Sequence, residues 1–238
     1  MQIRGFQRTT LLDYPRRIAF TVFTSGCNFR CPYCYNRHLV LCPAELPLID
    51  GEQLFSLLKK RRTVLDGVVI CGGEPTLQRG LKDFAKRVKE LGFLVKLDTN
   101  GSHPGVLKEL LDRGLLDFVS LDVKAPFGAA YRRATGVNCD GAEVLECMKI
   151  LVKSRVNFEL RTTVVPTLHS VEDLVDLAYQ VSSFSSCSSP LRWYLQQFQP
   201  GGCLDPSFDN INPYTRRELE EILTAVGGYV SGAELRGV

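Results

Sequence analysis

Residues 18–34 read Ile18-Ala19-Phe20-Thr21-Val22-Phe23-Thr24-Ser25-Gly26-Cys27-Asn28-Phe29-Arg30-Cys31-Pro32-Tyr33-Cys34. The first seven are apolar, β-branched or aromatic, which predicts a strand. A glycine breaks that run. Three cysteines follow at the spacing C-x3-C-x2-C. A strand that opens into a ligand-rich loop is the first half of a βα unit, and the same rhythm repeats outward along the chain.

Further β-rich runs lie at Gly67–Cys71, Phe93–Thr99, Phe118–Val123, Val156–Val165 and Leu191–Phe198. Between them, apolar residues recur at helical spacing. The stripes are Leu54, Leu57 and Leu58; Leu81, Phe84, Ala85, Val88 and Leu91; Leu107, Leu110 and Leu111; Val144, Leu145, Met148 and Leu151; Val171, Leu174, Val175 and Ala178; and Leu219, Ile222, Leu223 and Val226. Asp50 and Ser170 suit helix N-caps, and Gly92, Gly114 and Gly227 are expected just after helix ends. The pattern is βα repeated about six times. It predicts an α/β fold with a parallel sheet covered by helices and right-handed crossovers. Six units are too few for a closed eight-stranded barrel. A partly open barrel and a doubly wound open sheet both remain, since periodicity does not separate them. Residues 1–17 are expected to form an N-terminal strap or hairpin. Residues 182–190 read as a polar surface loop rather than a boundary, so 1–238 is expected to be one domain.

The chain has 238 residues, 45% hydrophobic and 23% charged, with a net charge of +3. That balance gives no clustered basic face for nucleic acid. The one basic block, Lys59-Lys60-Arg61-Arg62, reads as the solvated end of a helix, where cations are favoured. No apolar stretch approaches 18 residues and no signal-type segment opens the chain, so no membrane contact and a cytoplasmic location are expected. Nine cysteines in a reducing compartment point to a metal or redox site before a disulfide framework.

The chemistry-bearing residues all fall at strand ends. The cysteine loop follows the first run and Gly72-Gly73-Glu74-Pro75 the second. Asp98-Thr99-Asn100-Gly101 ends the third, and Asp122 and Lys124 end the fourth. Arg161 lies on the fifth, and Gln196-Gln197-Phe198-Gln199-Pro200 closes the sixth. In parallel α/β architectures the C-terminal strand ends build the active site. Three thiolates in one loop suit an iron–sulfur cluster with one iron left open. Two other readings stay open on spacing alone: a closed cluster that adds Cys42, and a zinc site that uses His38.

C-x3-C-x2-C is the signature loop of the radical S-adenosylmethionine (SAM) superfamily. The chain resembles that superfamily over almost its whole length, with Gly-Gly-Glu on the next strand. A closer resemblance is to the activating proteins of glycyl-radical enzymes, in the short form that serves anaerobic ribonucleoside-triphosphate reductase. It is carried by Thr9-Thr10-Leu11-Leu12-Asp13-Tyr14-Pro15, GCNFRCPYCYN, GGEPT, DTNG, LDVK and QQFQP. The resemblance implies the radical SAM fold, a partial, open parallel βα barrel. It implies a 4Fe-4S cluster on Cys27, Cys31 and Cys34, with the fourth iron open to SAM. Tyr33 would pack near the adenine, and Gly72, Gly73 and Glu74 would bind the methionine amino group. Asp98, Thr99 and Asp122 would hold a monovalent cation beside the cofactor carboxylate, with Lys124 and Arg161 near it. Phe198 and Gln199 would lie at the adenine-contacting strand end. A flavodoxin- or ferredoxin-type reductant would feed the cluster. Cleavage of SAM would give a 5′-deoxyadenosyl radical that takes a hydrogen atom from a glycine of a partner glycyl-radical enzyme. The competing readings are a small-molecule enzyme like 7-carboxy-7-deazaguanine synthase and a non-catalytic electron-transfer protein.

Elementary chemistry supports part of this. A carboxylate at Glu74 can accept from an ammonium, and glycines at 72 and 73 permit close backbone approach. Asp98 and Asp122, if adjacent, would repel unless a cation or basic side chain sits between them. Plainer readings exist as well. Glu74 before Pro75 can cap the next helix, and Asn100-Gly101 can be a plain turn. Cys71, Cys139, Cys147, Cys187 and Cys203 read as thiols without a catalytic role. His103 and His169 have no evident partner in the sequence. Phe84, Phe158 and Trp193 read as core. Two departures from the activase pattern stand out. Tyr35 replaces a common histidine and Arg16 a frequent glycine, both expected near the opening where a partner docks.

Overall fold

The computed structural model describes residues 1–185 and 191–238. The chain divides into two compact units. The first comprises Met1–Asn28, Asn36–Ser120 and Ser154–Asn157; the second comprises Phe29–Tyr35, Leu121–Lys153 and Phe158–Val238. Strand order follows chain order from β1 to β8, so the sheet is open. Every pairing described after the first is parallel.

In the first unit, β1 (Ile3–Thr10) pairs antiparallel with β2 (Ala19–Thr24) through two register shifts. Of the expected strap or hairpin, residues 3–10 form an edge strand paired to β2. Helices α1 (Arg37–Leu41) and α2 (Gly51–Lys60) lead to β3 (Gly67–Gly72). Helix α3 (Leu81–Glu90) leads to β4 (Leu94–Thr99), and α4 (Pro104–Asp112) to β5 (Phe118–Asp122), which ends in the second unit. Strands β2 and β3 are buried almost throughout, as expected of a parallel sheet covered on both faces. Phe20, Val22, Val68 and Ile70 are fully buried; each such side chain contributes about 1.5–3 kcal/mol. Helix α2 is capped by Asp50, which accepts from the Gln53 amide. Gly92 and Gly114 have φ of 83° and 64°, the left-handed conformation that ends α3 and α4.

The second unit holds α5 (Ala129–Thr135), α6 (Ala142–Lys153), β6 (Asn157–Val164), α7 (Val171–Ser182), β7 (Trp193–Gln197), α8 (Arg216–Gly227) and β8 (Ala233–Arg236). Capping boxes at Ser170 and Thr215 start α7 and α8. Trp193 is fully buried, and its indole N–H donates to Thr162 Oγ1 at 3.0 Å.

All six expected strands are present, and β1 and β8 add two more. Three smaller expectations change. Gly227 is the last residue of α8 rather than a residue beyond it. Phe158, the second residue of β6, is only half-buried; Phe84 and Trp193 are core. Third, both histidines have partners: His169 accepts from the Val165 amide at Nδ1 (3.0 Å) and meets the Lys124 carbonyl at Nε2 (2.7 Å), while His103 Nδ1 lies 2.9 Å from Ser102 Oγ and 3.2 Å from Thr76 Oγ1. Arg16 precedes β2 and Cys27 follows it, at opposite ends of that strand. Cys187 and the expected loop from 186 to 190 lie outside the described residues. No helix among the described residues is long and apolar enough to cross a membrane.

Candidate functional site

Three strand ends meet in the first unit. The Gly72-Gly73-Glu74 segment is stitched to the start of the cysteine loop: the Gly73 amide donates to Thr24 O (2.9 Å) and the Glu74 amide to Gly26 O (2.8 Å). The two glycines are dictated by this crossing. A Cβ on Gly73 would sit 1.8 Å from Gly26 O, and one on Gly72, whose φ is 115°, would sit 2.3 Å from the Thr24 nitrogen. The close approach foreseen from the sequence is thus made to the cysteine loop itself.

Glu74 is 1% exposed and its carboxylate is held by protein donors. Oε1 accepts from the Thr76 amide (3.0 Å), Thr76 Oγ1 (2.6 Å) and Thr99 Oγ1 (2.7 Å), and Oε2 accepts from the Asn100 amide (2.7 Å). Burial pushes this carboxyl above its ordinary range, while the hydrogen bonds pull it back. The capping reading is realised, since Glu74 caps the short 3-10 turn Pro75–Leu77. Asn100 extends the network. Its Nδ2 donates to Asn28 Oδ1 (3.0 Å) and lies 3.7 Å from Cys27 Sγ, while its Oδ1 accepts from the Ser102 amide. Asp98 is bonded by the ammonium of Lys96, a residue the strand pattern had absorbed into an apolar run.

The second unit gathers the other candidates. Asp122 accepts from Lys124 Nζ at 2.9 Å and from Arg161 Nε at 2.8 Å. Burial alone would raise the Asp122 carboxyl, but the two cations outweigh it and bring it down to about 2. Burial works against the Lys124 ammonium too, and the charge of Asp122 holds it well above its ordinary value. Tyr33 is buried, and its hydroxyl has no hydrogen-bond partner among the described residues. Burial and the nearby Cys31 push that phenol well up. The second part of the cysteine loop is anchored at two points: the Arg30 amide donates to Thr135 O (2.8 Å), and the Asp205 amide donates to Pro32 O (2.9 Å). Phe198 stacks on Tyr35 with centroids 6.4 Å apart, and the Gln199 amide donates to Tyr35 Oη at 2.7 Å.

Each unit therefore assembles part of the expected set. Cys27, Gly72, Gly73, Glu74, Asp98 and Thr99 belong to the first; Cys31, Tyr33, Cys34, Asp122, Lys124, Arg161, Phe198 and Gln199 belong to the second. The three loop cysteines are in no disulfide. Among the described residues no three His, Cys, Asp or Glu side chains are already drawn together as a metal centre, so the cysteines are assigned by spacing and motif. Sequence reading passed over Lys96, whose signal was a lysine inside Phe93–Thr99, and the linking role of Asn100. Cys147 and Cys203 are fully buried, and Cys71 packs against the cluster of Tyr14, Ala19, Val69 and Phe118, as expected of small apolar side chains.

Residues 21–178 match the Radical SAM superfamily. The chain is 33% identical over 246 residues to a putative glycyl-radical enzyme activating enzyme of Methanocaldococcus jannaschii, covering 99% of this chain and 96% of that relative. Among solved structures, Streptococcus suis SuiB aligns with a TM-score of 0.65 at 15% identity over 91% of this chain, which spans 48% of SuiB. A domain of pyruvate-formate lyase-activating enzyme from Bacteroides vulgatus aligns with a TM-score of 0.55 at 16% identity, covering 72% of this chain and 99% of that domain. At such identities the two structures bear on fold alone.

Proposed function

Because this chain belongs to the radical SAM superfamily, we propose that it is the activating enzyme that places a radical on a glycine of a partner glycyl-radical protein. The observation that carries the reading is the end-to-end match to a putative activating enzyme, with 99% and 96% of the two chains aligned. The chemistry of the donor set fits the superfamily's cofactors, a 4Fe-4S cluster and SAM. Cys27, Cys31 and Cys34 would hold the cluster through thiolates. When bound, cluster and SAM supply a 5′-deoxyadenosyl radical able to take a hydrogen atom from a glycine Cα.

The chain's own residues position and neutralise. The Asn100 side-chain amide is directed toward the sulfur of Cys27. Gly73 and Glu74 fix the start of the cysteine loop by their backbone, and the Glu74 carboxylate keeps β3 and β4 in register at that end. The unsatisfied Tyr33 hydroxyl, buried beside the Asp122 pair, is an open polar contact for a bound cofactor. Lys124 and Arg161 both pair with the Asp122 carboxylate, and they are the basic groups this reading puts near a cofactor carboxylate. A flavodoxin- or ferredoxin-type protein would supply the electron.

The test is anaerobic. The reconstituted protein is mixed with SAM, dithionite and a glycyl-radical protein deuterated at glycine. Deuterium in 5′-deoxyadenosine together with a glycyl doublet in the electron paramagnetic resonance spectrum is the expected result. Formation of 5′-deoxyadenosine with neither label nor protein radical would move the reading to a small-molecule substrate.

A further inference from the structure

Asn100 follows β4 directly and is buried, 6% exposed. Its backbone amide is fixed by Glu74 Oε2 at 2.7 Å. Its side-chain oxygen accepts from the Ser102 amide at 2.9 Å, which settles the orientation of the carboxamide: turned over, it would set an NH2 group against an N–H. The side-chain nitrogen therefore faces the start of the cysteine loop. One of its two hydrogens goes to Asn28 Oδ1 at 3.0 Å, and Cys27 Sγ lies 3.7 Å away, within reach of the other. All of these residues belong to the first unit. A carboxamide held at three points by protein thus presents its remaining donor to a sulfur of the motif.

A thiolate sulfur on an iron–sulfur cluster gains electron density when the cluster is reduced. A donor aimed at that sulfur stabilises the reduced form more than the oxidised one, and hydrogen bonds to the sulfurs are among the factors that set a cluster's potential. We infer that Asn100 raises the reduction potential of the cluster through Cys27, easing uptake of the electron with which the proposed chemistry starts. Asn100 is thereby a positioning residue that acts through the Cys27 sulfur and not on the reacting atoms. The inference rests on the proposed function in taking Cys27 as a cluster ligand; it needs neither SAM nor a glycyl-radical partner.

The experiment reconstitutes the cluster anaerobically in wild type, Asn100→Ala, Asn100→Asp and Ser102→Ala. Iron is counted, and the electron paramagnetic resonance signal is followed through a redox titration without SAM. A hydrogen bond of ordinary net strength corresponds to about a three- to tenfold change in an equilibrium. At about 59 mV per tenfold for a one-electron couple, Asn100→Ala is expected to lower the midpoint potential by about 30–60 mV. Asn100→Asp keeps an oxygen to accept from Ser102 but sets a negative charge without a donor hydrogen beside the sulfur, so a drop at least as large is expected. Ser102→Ala removes a hydroxyl but not the backbone amide that orients Asn100, and is expected to keep the wild-type potential. An unchanged or raised potential in Asn100→Ala would overturn the inference, as would an equal drop in Ser102→Ala, which would trace the effect to the surrounding network. Should Asn100→Ala not load a cluster, Asn100→Asp decides on the same criterion. Should neither load one, Asn100 serves assembly rather than potential and the inference fails. A wild type that takes up no cluster would overturn the proposed function together with the inference, whereas a full cluster whose potential ignores Asn100 would overturn the inference alone.

Discussion

The two units bury a carboxylate by opposite means. In the first, Glu74 is surrounded by neutral donors, two amides and two hydroxyls, and its carboxyl is pushed above the ordinary range by burial. In the second, Asp122 lies between two cations and is drawn down to about 2. Neutral donors stitch three strand ends together at fixed distances but leave the group's charge costly to keep. Cations secure the charge. The first arrangement is suited to geometry and the second to electrostatics.

Asp122→Asn breaks the comparison most strongly. It takes from Lys124 the carboxylate it pairs with in a mostly buried setting and should cost about 3–5 kcal/mol, read by urea denaturation. Glu74→Gln keeps the shape but turns one acceptor into a donor facing donors, and should cost about 1–3 kcal/mol. Acid sharpens the contrast. The Asp122 carboxyl is depressed, so its contribution is fully present above its unfolded pKa of about 3.9 and is lost as pH falls toward about 2. The gap between wild type and Asp122→Asn should close across that window. The Glu74 carboxyl is raised, so its charged form weighs against folding, and its contribution improves as pH falls through its folded value toward its unfolded one. Glu74→Gln should therefore lose stability relative to wild type as the solution is acidified from neutrality to about pH 4.3. The smallest effect is expected before β2. Arg16 has φ of 60° at the opposite end of β2, so Arg16→Gly should stabilise by about 1 kcal/mol and raise the melting temperature by about 2–4 °C, with SAM cleavage unchanged.

The sheet was legible because its inner strands are apolar on both faces and flanked by amphipathic helices. Strand β1 was legible only as a strap or hairpin, because Ile3-Arg4-Gly5-Phe6-Gln7-Arg8 carries the polar residues and glycine of an irregular edge, and β8 escaped because four residues, Ala233–Arg236, carry no period. Within the site, motif spacing located the strand ends but not which atoms each side chain holds. Lys96 was invisible because a lysine in an apolar run has no local signature; its partner, two residues along the strand, gives it a role only once both are buried.

The central claim is that Cys27, Cys31 and Cys34 hold a cluster with one iron left for SAM. Anaerobic reconstitution followed by iron and sulfide analysis and low-temperature electron paramagnetic resonance tests it most directly. The wild-type protein and Cys42→Ala should each bind about four irons and, when reduced, show a signal that changes on adding SAM. Cys27→Ala should lose both. A full cluster in Cys27→Ala, or its loss in Cys42→Ala with a wild-type spectrum indifferent to SAM, would contradict the account.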